Sequence, residues 1–228
     1  MKDEILMENK SIVVPGEVLA KGMSFLPGPG TYRRDDVIVA KKVGLATVDG
    51  KVIKLIALNG TYLPRVKDKI IARVIDVLMT GWRVDINCPY SAVLTMKDAT
   101  NEFIPRGADL TKYYDLGDHM LCQVVNVTSQ NLVDVSMKGP GLRKLKGGRF
   151  IKVSPYKVPR VIGKDGSMVS MIKKATGCDI IVGQNGVIWI NGDPKAEVVA
   201  VKAIKKIDKE AHLSGLTDRI AKWLEEAK

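Results

Sequence analysis

The alternation of apolar and polar residues predicts a β-rich region at the start of the chain. Short apolar runs in residues 1–61 are separated by glycine-containing turns. Two of these runs, over residues 36–45 and 51–58, are joined through Asp49-Gly50, a dipeptide typical of a tight β-hairpin. Residues 1–61 are therefore predicted to form a small all-β domain.

A second β-rich region follows over residues 62–138, with a more regular pattern. Period-two alternation and turn residues predict five strands, at 69–78, 82–86, 91–95, 118–127 and 132–137. One longer connection lies between the third and fourth strands. Five strands with a long connection at that point are typical of an OB-fold barrel.

The pattern changes again after residue 138. Residues 139–148 contain four glycines, one proline and three basic residues, and are predicted to form a basic, glycine-rich linker. Residues 149–228 follow the order strand–helix–helix–strand–strand–helix, and Asp193-Pro194 is a strong start signal for the last of these helices. A final amphipathic helix is predicted near the C-terminus. The third region is thus a compact αβ domain.

Composition excludes several classes of protein. The 228 residues have a mean hydropathy of +0.02, and no apolar run reaches the roughly 18 residues that a membrane helix needs. The first ten residues lack the apolar stretch of a signal peptide, so we expect a cytoplasmic protein without a membrane partner. The three cysteines are far apart, which indicates neither a metal site nor disulfides, and no cofactor is expected.

The distribution of charge points to a polyanionic partner. The overall charge is +11, and residues 139–228 carry 18 basic and 9 acidic side chains. Residues 139–164 hold eight basic side chains and no acidic one. A run of basic side chains without any acidic one favours binding of a polyanion over a merely solvated surface. Nucleic acid is the leading candidate, and an anionic membrane surface is the second.

One motif in the third region carries specific chemistry. The segment Val161–Ile172 resembles the core of a type I KH domain, with its GxxG loop at Gly163-Lys164-Asp165-Gly166. Bare glycine backbone and the start of a helix would hold the sugar-phosphate chain of single-stranded RNA. We expect these four residues, with Arg160 and Lys157, to contact RNA.

Replacing both Gly163 and Gly166 by Asp should weaken RNA binding without unfolding the chain. The alternative is a KH fold that serves only as a packing scaffold. The similar tetrad Gly183–Gly186 is expected to be a plain turn.

The middle region resembles an S1-type OB domain. Gly81–Ile86 and Val135–Lys138 match segments of that family, although Arg83 stands where an aromatic stacking residue is common. Phosphate contact through Arg83 is therefore the better expectation. The candidate RNA-binding residues of this region are Arg65, Lys67, Arg73, Arg83, Arg106, Tyr113 and His119, each of which could also be an ordinary exposed charge or half-buried ring.

The order of the three domains is itself distinctive. Together with Val13–Glu17 and Gly28–Tyr32, it resembles the S1/KH cap subunits of the archaeal RNA exosome over nearly the whole chain. The resemblance implies a non-catalytic subunit present in three copies on a hexameric ring of phosphorolytic ribonuclease subunits. The N-terminal and KH domains would contact the ring, and the barrels would surround its pore. Single-stranded, adenine-rich RNA would enter there by its 3′ end for 3′–5′ degradation.

Other functions remain as alternatives. A free-standing S1/KH protein, such as an RNA chaperone or a translation-related factor, would share the same domains. A nuclease related to polynucleotide phosphorylase is disfavoured, because those enzymes place KH before S1 and need two large catalytic domains. A carrier domain modified at Lys51 lacks the flanking signal. The residues leave open the RNA sequence preference, the surface that contacts the ring, and whether the cap contains a second protein.

Overall fold

The computed structural model describes residues 3–105, 107–211 and 215–226. It contains two compact units, the first ending at Gly60 and the second beginning at Thr61. Across the described residues, no helix combines the length and the apolar character needed to cross a membrane.

The first unit is all-β, in agreement with the predicted fold class. Its strands form two four-stranded sheets, with orders β1-β3-β6-β5 and β2-β7-β8-β4, around a small apolar core that includes Leu19, Ile38 and Ile53. The strands are β1 (Glu4–Ile5), β2 (Ile12–Val13), β3 (Val18–Lys21), β4 (Leu26–Pro27), β5 (Thr31–Arg34), β6 (Val37–Ala40), β7 (Gly44–Asp49) and β8 (Val52–Ala57).

One predicted strand of this unit is two separate strands in the structure. The expected strand over residues 36–45 breaks between Ala40 and Gly44, because β6 pairs within one sheet and β7 within the other. The chain therefore changes sheets where an apolar run alone suggests continuity. The hairpin predicted at Asp49-Gly50 joins β7 and β8, and Lys51 is exposed in its turn.

The second unit begins with a closed five-stranded barrel, as predicted. Its strands are β9 (Lys69–Leu78), β10 (Gly81–Asp85), β11 (Ser91–Thr95), β12 (His119–Val127) and β13 (Val133–Ser136), with a short helix α1 (Met96–Ala99) and a 3₁₀ turn (Leu110–Lys112) in the long connection. The parallel pairing of β11 with β13 and the antiparallel pairing of β12 with β13 close the barrel.

Trp82 lies in the centre of the barrel. Its side chain is fully buried, and its indole Nε1 donates a hydrogen bond to the carbonyl of Tyr114 at 2.8 Å. The rings of these two residues meet edge to face at 5.3 Å. Leu94 is also fully buried. Both side chains thus fill the barrel and leave no stacking platform at these positions.

The KH domain follows with the predicted type I order. Its elements are β15 (Arg149–Lys152), α2 (Val158–Ile162), α3 (Ser167–Thr176), β16 (Asp179–Val182), β17 (Val187–Asn191) and α4 (Pro194–Glu210), with an additional helix α5 (Leu216–Glu226). Asp193 caps α4 by accepting from the amide of Lys195 at 3.0 Å. The helices pack on one face of the sheet around Ile172, Ile188 and Ile204.

The segment predicted as a linker contains a strand. Within residues 139–148, β14 (Arg143–Leu145) pairs with β12 and extends the barrel sheet. Leu145 is almost fully buried. The chain turns through Gly147 and Gly148, which have φ of +64° and +70°. A Cβ on Gly148 would lie 2.4 Å from the carbonyl oxygen of Ile190. Gly148 thus allows two backbone segments to pack closely.

The barrel packs against the KH sheet through apolar side chains. The cluster comprises Ile71, Leu121 and Leu145 from the barrel sheet and Val187 and Trp189 from the KH sheet. All five side chains are at least nine-tenths buried. The helix-free face of the KH sheet is thereby removed from water, and the two domains form one unit.

Asn185 occupies the polar centre of this junction. Its side chain is fully buried and donates to the carbonyls of Ile71 and Ile86, at 2.8 and 2.9 Å. Its Oδ1 accepts from the amide of Ile71 at 3.3 Å, and its carbonyl accepts from Asn87 Nδ2 at 2.9 Å. One KH side chain thus satisfies backbone groups of Ile71 on β9 and of Ile86, the residue after β10.

Gly183 makes this approach possible, and Gly186 allows the loop to pack closely within the KH domain. A Cβ on Gly183 would lie 2.9 Å from the Ile71 amide nitrogen, and one on Gly186 would lie 2.4 Å from the carbonyl of Val153. The tetrad Gly183–Gly186 is a turn, as predicted, and it is also the loop by which the KH domain docks on the barrel.

Replacing Asn185 by Ala should destabilise the second unit by roughly 2–4 kcal/mol, because buried backbone groups of Ile71 and Ile86 would lose their partners. Chemical denaturation of the variant measures this loss. Asn101→Ala is the matched control, since Asn101 is exposed and should cost no more than about 0.5 kcal/mol. Equal losses in the two variants would contradict the role assigned to Asn185.

Candidate nucleic-acid interface

The Gly163–Gly166 loop begins where α2 ends. Gly163 has φ 77° and ψ 174°, a backbone conformation that essentially only glycine adopts. A Cβ there would lie 2.6 Å from the amide nitrogen of Met168, at the start of α3. The first glycine is therefore required by the packing of the loop on its own helix. This corrects the expectation that Asp is tolerated at Gly163.

The rest of the tetrad faces outward. Gly166 is left-handed, with φ 78° and ψ 12°, and a Cβ on it would meet nothing within 4 Å. Asp165 is also left-handed, at φ 51°, and the side chains of Lys164 and Asp165 are exposed. The loop thus presents bare backbone and one mobile cation to solvent beside the N-terminus of α3.

A groove of about 640 Å³ runs beside this loop. One wall is formed by Arg160, Gly163, Lys164 and the first residues of α3, and the other by residues 215–218 at the start of α5. Asp218 is the acidic residue of the lining. Within the described ranges, neither Arg160 nor Lys164 forms an ion pair. Both cations are thus available to an anionic ligand.

Lys157 is engaged elsewhere. Its Nζ donates to the carbonyl of Asp208 at 2.6 Å and lies 3.5 Å from the Asp208 carboxylate, on α4. The predicted RNA contact through Lys157 would require these bonds to break. In this structure the side chain ties α4 to the segment before α2.

The barrel candidates are spread over several places. Arg65 lines a groove of about 230 Å³ with Tyr156 and Pro159 of the KH domain. Arg83 is exposed on β10, 3.9 Å from the carboxylate of Asp76. Lys67 is exposed in the turn before β9, and Tyr113 is half-buried against the barrel core. Arg106 lies outside the described residues.

Arg73 and His119 lie side by side. They are paired across β9 and β12 and line the same small cavity at the junction with the KH domain. The His119 ring stacks on Phe150 of β15, with centroids 3.8 Å apart. Burial lowers the pKa of His119, and the nearby Arg73 cation lowers it further. The structure thus brings Arg160 together with the KH loop and Arg73 together with His119, whereas the other described barrel candidates lie apart.

Sequence reasoning missed two participants in the junction. Lys152 belongs to the basic run of residues 139–164, but nothing local indicates that β15 brings it beside Arg73. Asn185 lies in the second GxxG tetrad, and the repeated glycine spacing could have indicated a packed loop there.

Over the described residues, no group of three or more His, Cys, Asp or Glu side chains could hold a metal ion.

Two family comparisons match the chain in different regions. Residues 148–196 match the KH domain family, and residues 12–49 match the family described as "Exosome complex exonuclease RRP4 N-terminal region". Among curated proteins, the exosome complex component Rrp4 of Pyrococcus horikoshii is 45% identical over 96% of this chain and 84% of its own length. This chain belongs to the Rrp4 family.

Further comparisons agree with membership of the Rrp4 family. Rrp4 of Methanothermus fervidus is 42% identical over 96% of this chain and 97% of its own length. A crystal structure assigned as an exosome complex RNA-binding protein shares 38% identity with a TM-score of 0.67, covering 74% of this chain and 97% of that one. The resemblance deduced from the motifs is confirmed.

The two loop glycines of this Rrp4-family chain should respond differently to Ala. Gly166→Ala should cost about 1 kcal/mol, the cost of a left-handed alanine in open space. Gly163→Ala should cost roughly 1–3 kcal/mol more, because its Cβ would meet the Met168 backbone. Urea denaturation of both variants checks this order. Equal stabilities would contradict the geometry described for Gly163.

Proposed function

We propose that this chain is a non-catalytic, RNA-binding subunit of an exosome. The observation that carries the proposal is the exposed Gly163–Gly166 tetrad beside Arg160 and Lys164, in a chain of the Rrp4 family. The known relatives are named as exosome components, and the structural neighbour as an RNA-binding protein of that complex. Cleavage would take place in other subunits.

The tetrad is suited to a phosphate chain for a physical reason. The open space at Gly166 lets a sugar-phosphate backbone approach the loop without meeting a side chain. The N-terminus of α3 offers the positive end of a helix dipole, and the exposed Lys164 and Arg160 add positive charge. About four nucleotides of single strand fit such a loop.

The assembly forms the finer part of the proposal. Three copies would cap a hexameric ring of phosphorolytic ribonuclease subunits, with their barrels around the pore, and would guide the 3′ ends of adenine-rich RNA into it. One KH loop binds single strands weakly. Three loops on one platform raise the effective concentration of binding sites and the avidity without any new contact. Membership of the Rrp4 family supports this arrangement.

RNA binding is tested by the anisotropy of a labelled single-stranded oligoribonucleotide at several salt concentrations. If about four phosphates are neutralised, the slope of log K against log salt is roughly −3 for the native chain. Arg160→Gln with Lys164→Gln should weaken binding about 10-fold or more and reduce the slope by about 1.4. Lys202→Gln with Lys205→Gln, both exposed on α4, is the charge-matched control.

The outcomes separate the alternatives. Unchanged RNA affinity in the folded double variant would mean that the KH loop is only a scaffold. No binding of RNA even at low salt would refute the proposed function.

Assembly is tested by isolating the chain from native cells, measuring the size of the complex and identifying its members by mass. Recovery with ring subunits is expected, whereas a chain that travels alone would favour a free-standing RNA-binding protein.

A further inference from the structure

A second cluster of cations lies where the barrel meets the KH domain, separate from the groove at Gly163–Gly166. It surrounds a cavity of about 130 Å³. The lining comes from both domains: Ile71, Arg73, Asp85, Asn87 and His119 from the barrel, and Phe150, Lys152 and Val187 from the KH domain. The cavity therefore exists only while the two domains are docked.

The charges around the cavity are unbalanced. Arg73 and Lys152 are exposed, and neither forms an ion pair within the part of the chain that the structure describes. Asp85 is the acidic residue of the lining, and its Oδ1 already accepts from the amide of Asn87 at 2.8 Å. Two cations and an imidazole thus face one carboxylate that is already hydrogen-bonded.

The positions of these groups are fixed by the fold. Arg73 lies on β9 between Asp85 and His119, its partners on the two neighbouring strands. The His119 ring is held by its stack on Phe150, and Asn87 is held by its bond to the Asn185 carbonyl. A site whose donors are positioned in advance binds an anion without a large ordering cost.

The size of the cavity limits the ligand. Its volume of about 130 Å³ is about a fifth of that of the groove beside the KH loop, which is about 640 Å³. We therefore assign it one phosphate group of a strand rather than a whole nucleotide. An arginine and a lysine are the side chains that proteins use most for phosphate, the first as a planar fork and the second as a point charge.

We propose that Arg73, Lys152 and His119 bind one phosphate group of single-stranded RNA at the junction of the barrel and the KH domain. The inference rests on the RNA binding proposed above, and it adds a composite site to which each domain contributes a cation. An RNA strand bound there contacts both domains at once, so the junction adds to the affinity of the KH loop.

The first test removes the two cations. Arg73→Gln and Lys152→Gln should each weaken binding of a labelled single-stranded oligoribonucleotide about 3- to 10-fold, and the double variant should lower the salt slope by about 0.7 for one lost phosphate. Lys205→Gln again removes a distant charge and should change neither quantity. Affinities and slopes of the folded variants equal to those of this control would overturn the proposal.

The second test observes His119 in the chain with both cations present. The chain has two histidines, so His212→Gln leaves one imidazole signal in the NMR spectrum. Arg73, Asp118 and Asp85 act on the ring electrostatically, and Lys152 lines the same cavity. A bound phosphate stabilises the imidazolium, so saturating RNA should shift the signal and raise the pKa of His119. An unchanged pKa would overturn the proposal.

The source of the phosphate is distinguished in the same experiment. Titration with inorganic phosphate should move the His119 signal only at concentrations far above those at which the oligoribonucleotide acts. Equal potency of the two would assign the cavity to small phosphate compounds and overturn the RNA site. Failure of the wild-type chain to bind RNA at all refutes the proposed function, whereas binding with an unmoved His119 refutes this inference alone.

Discussion

The docking of the KH sheet on the barrel is the interaction on which the second unit depends. Apolar side chains from both sheets exclude water. Without the bonds from Asn185, this exclusion would leave backbone polar groups of Ile71 on β9 and of Ile86 after β10 unsatisfied. The apolar surface can therefore be buried at low cost only because the side-chain amide of Asn185 forms these hydrogen bonds. The relative position of the two domains follows from both.

Two glycine tetrads of the same spacing illustrate how context decides what a loop does. At Gly163–Gly166, the second glycine faces open space and the backbone stays available to a ligand. At Gly183–Gly186, both glycines face backbone atoms at less than 3 Å from an added Cβ, and the loop is buried against another domain. Absence of a side chain serves ligand access in the first loop and domain packing in the second.

Local patterns were sufficient for most elements. The predicted strand 69–78 and helix 167–176 coincide with β9 and α3, because period-two alternation, turn glycines and cap residues act over a few residues. Contacts between residues far apart in the sequence could not be predicted from these local patterns. The strand β14, the bond of Lys157 to Asp208 and the meeting of Arg73 with Lys152 each depend on packing between segments far apart in the chain. The sequence therefore predicted which residues could bind RNA, but it predicted their spatial arrangement only in the KH loop.

The buried contacts at this junction should make the barrel and the KH domain one rigid body, with the KH loop and the junction cations in a fixed arrangement. Residual dipolar couplings of the backbone amides, measured on the full chain in solution, report whether the two domains share one orientation. A single alignment tensor should fit the couplings of β9–β13 and of β15–α4 together. A need for two separate tensors would show that the junction is not rigid.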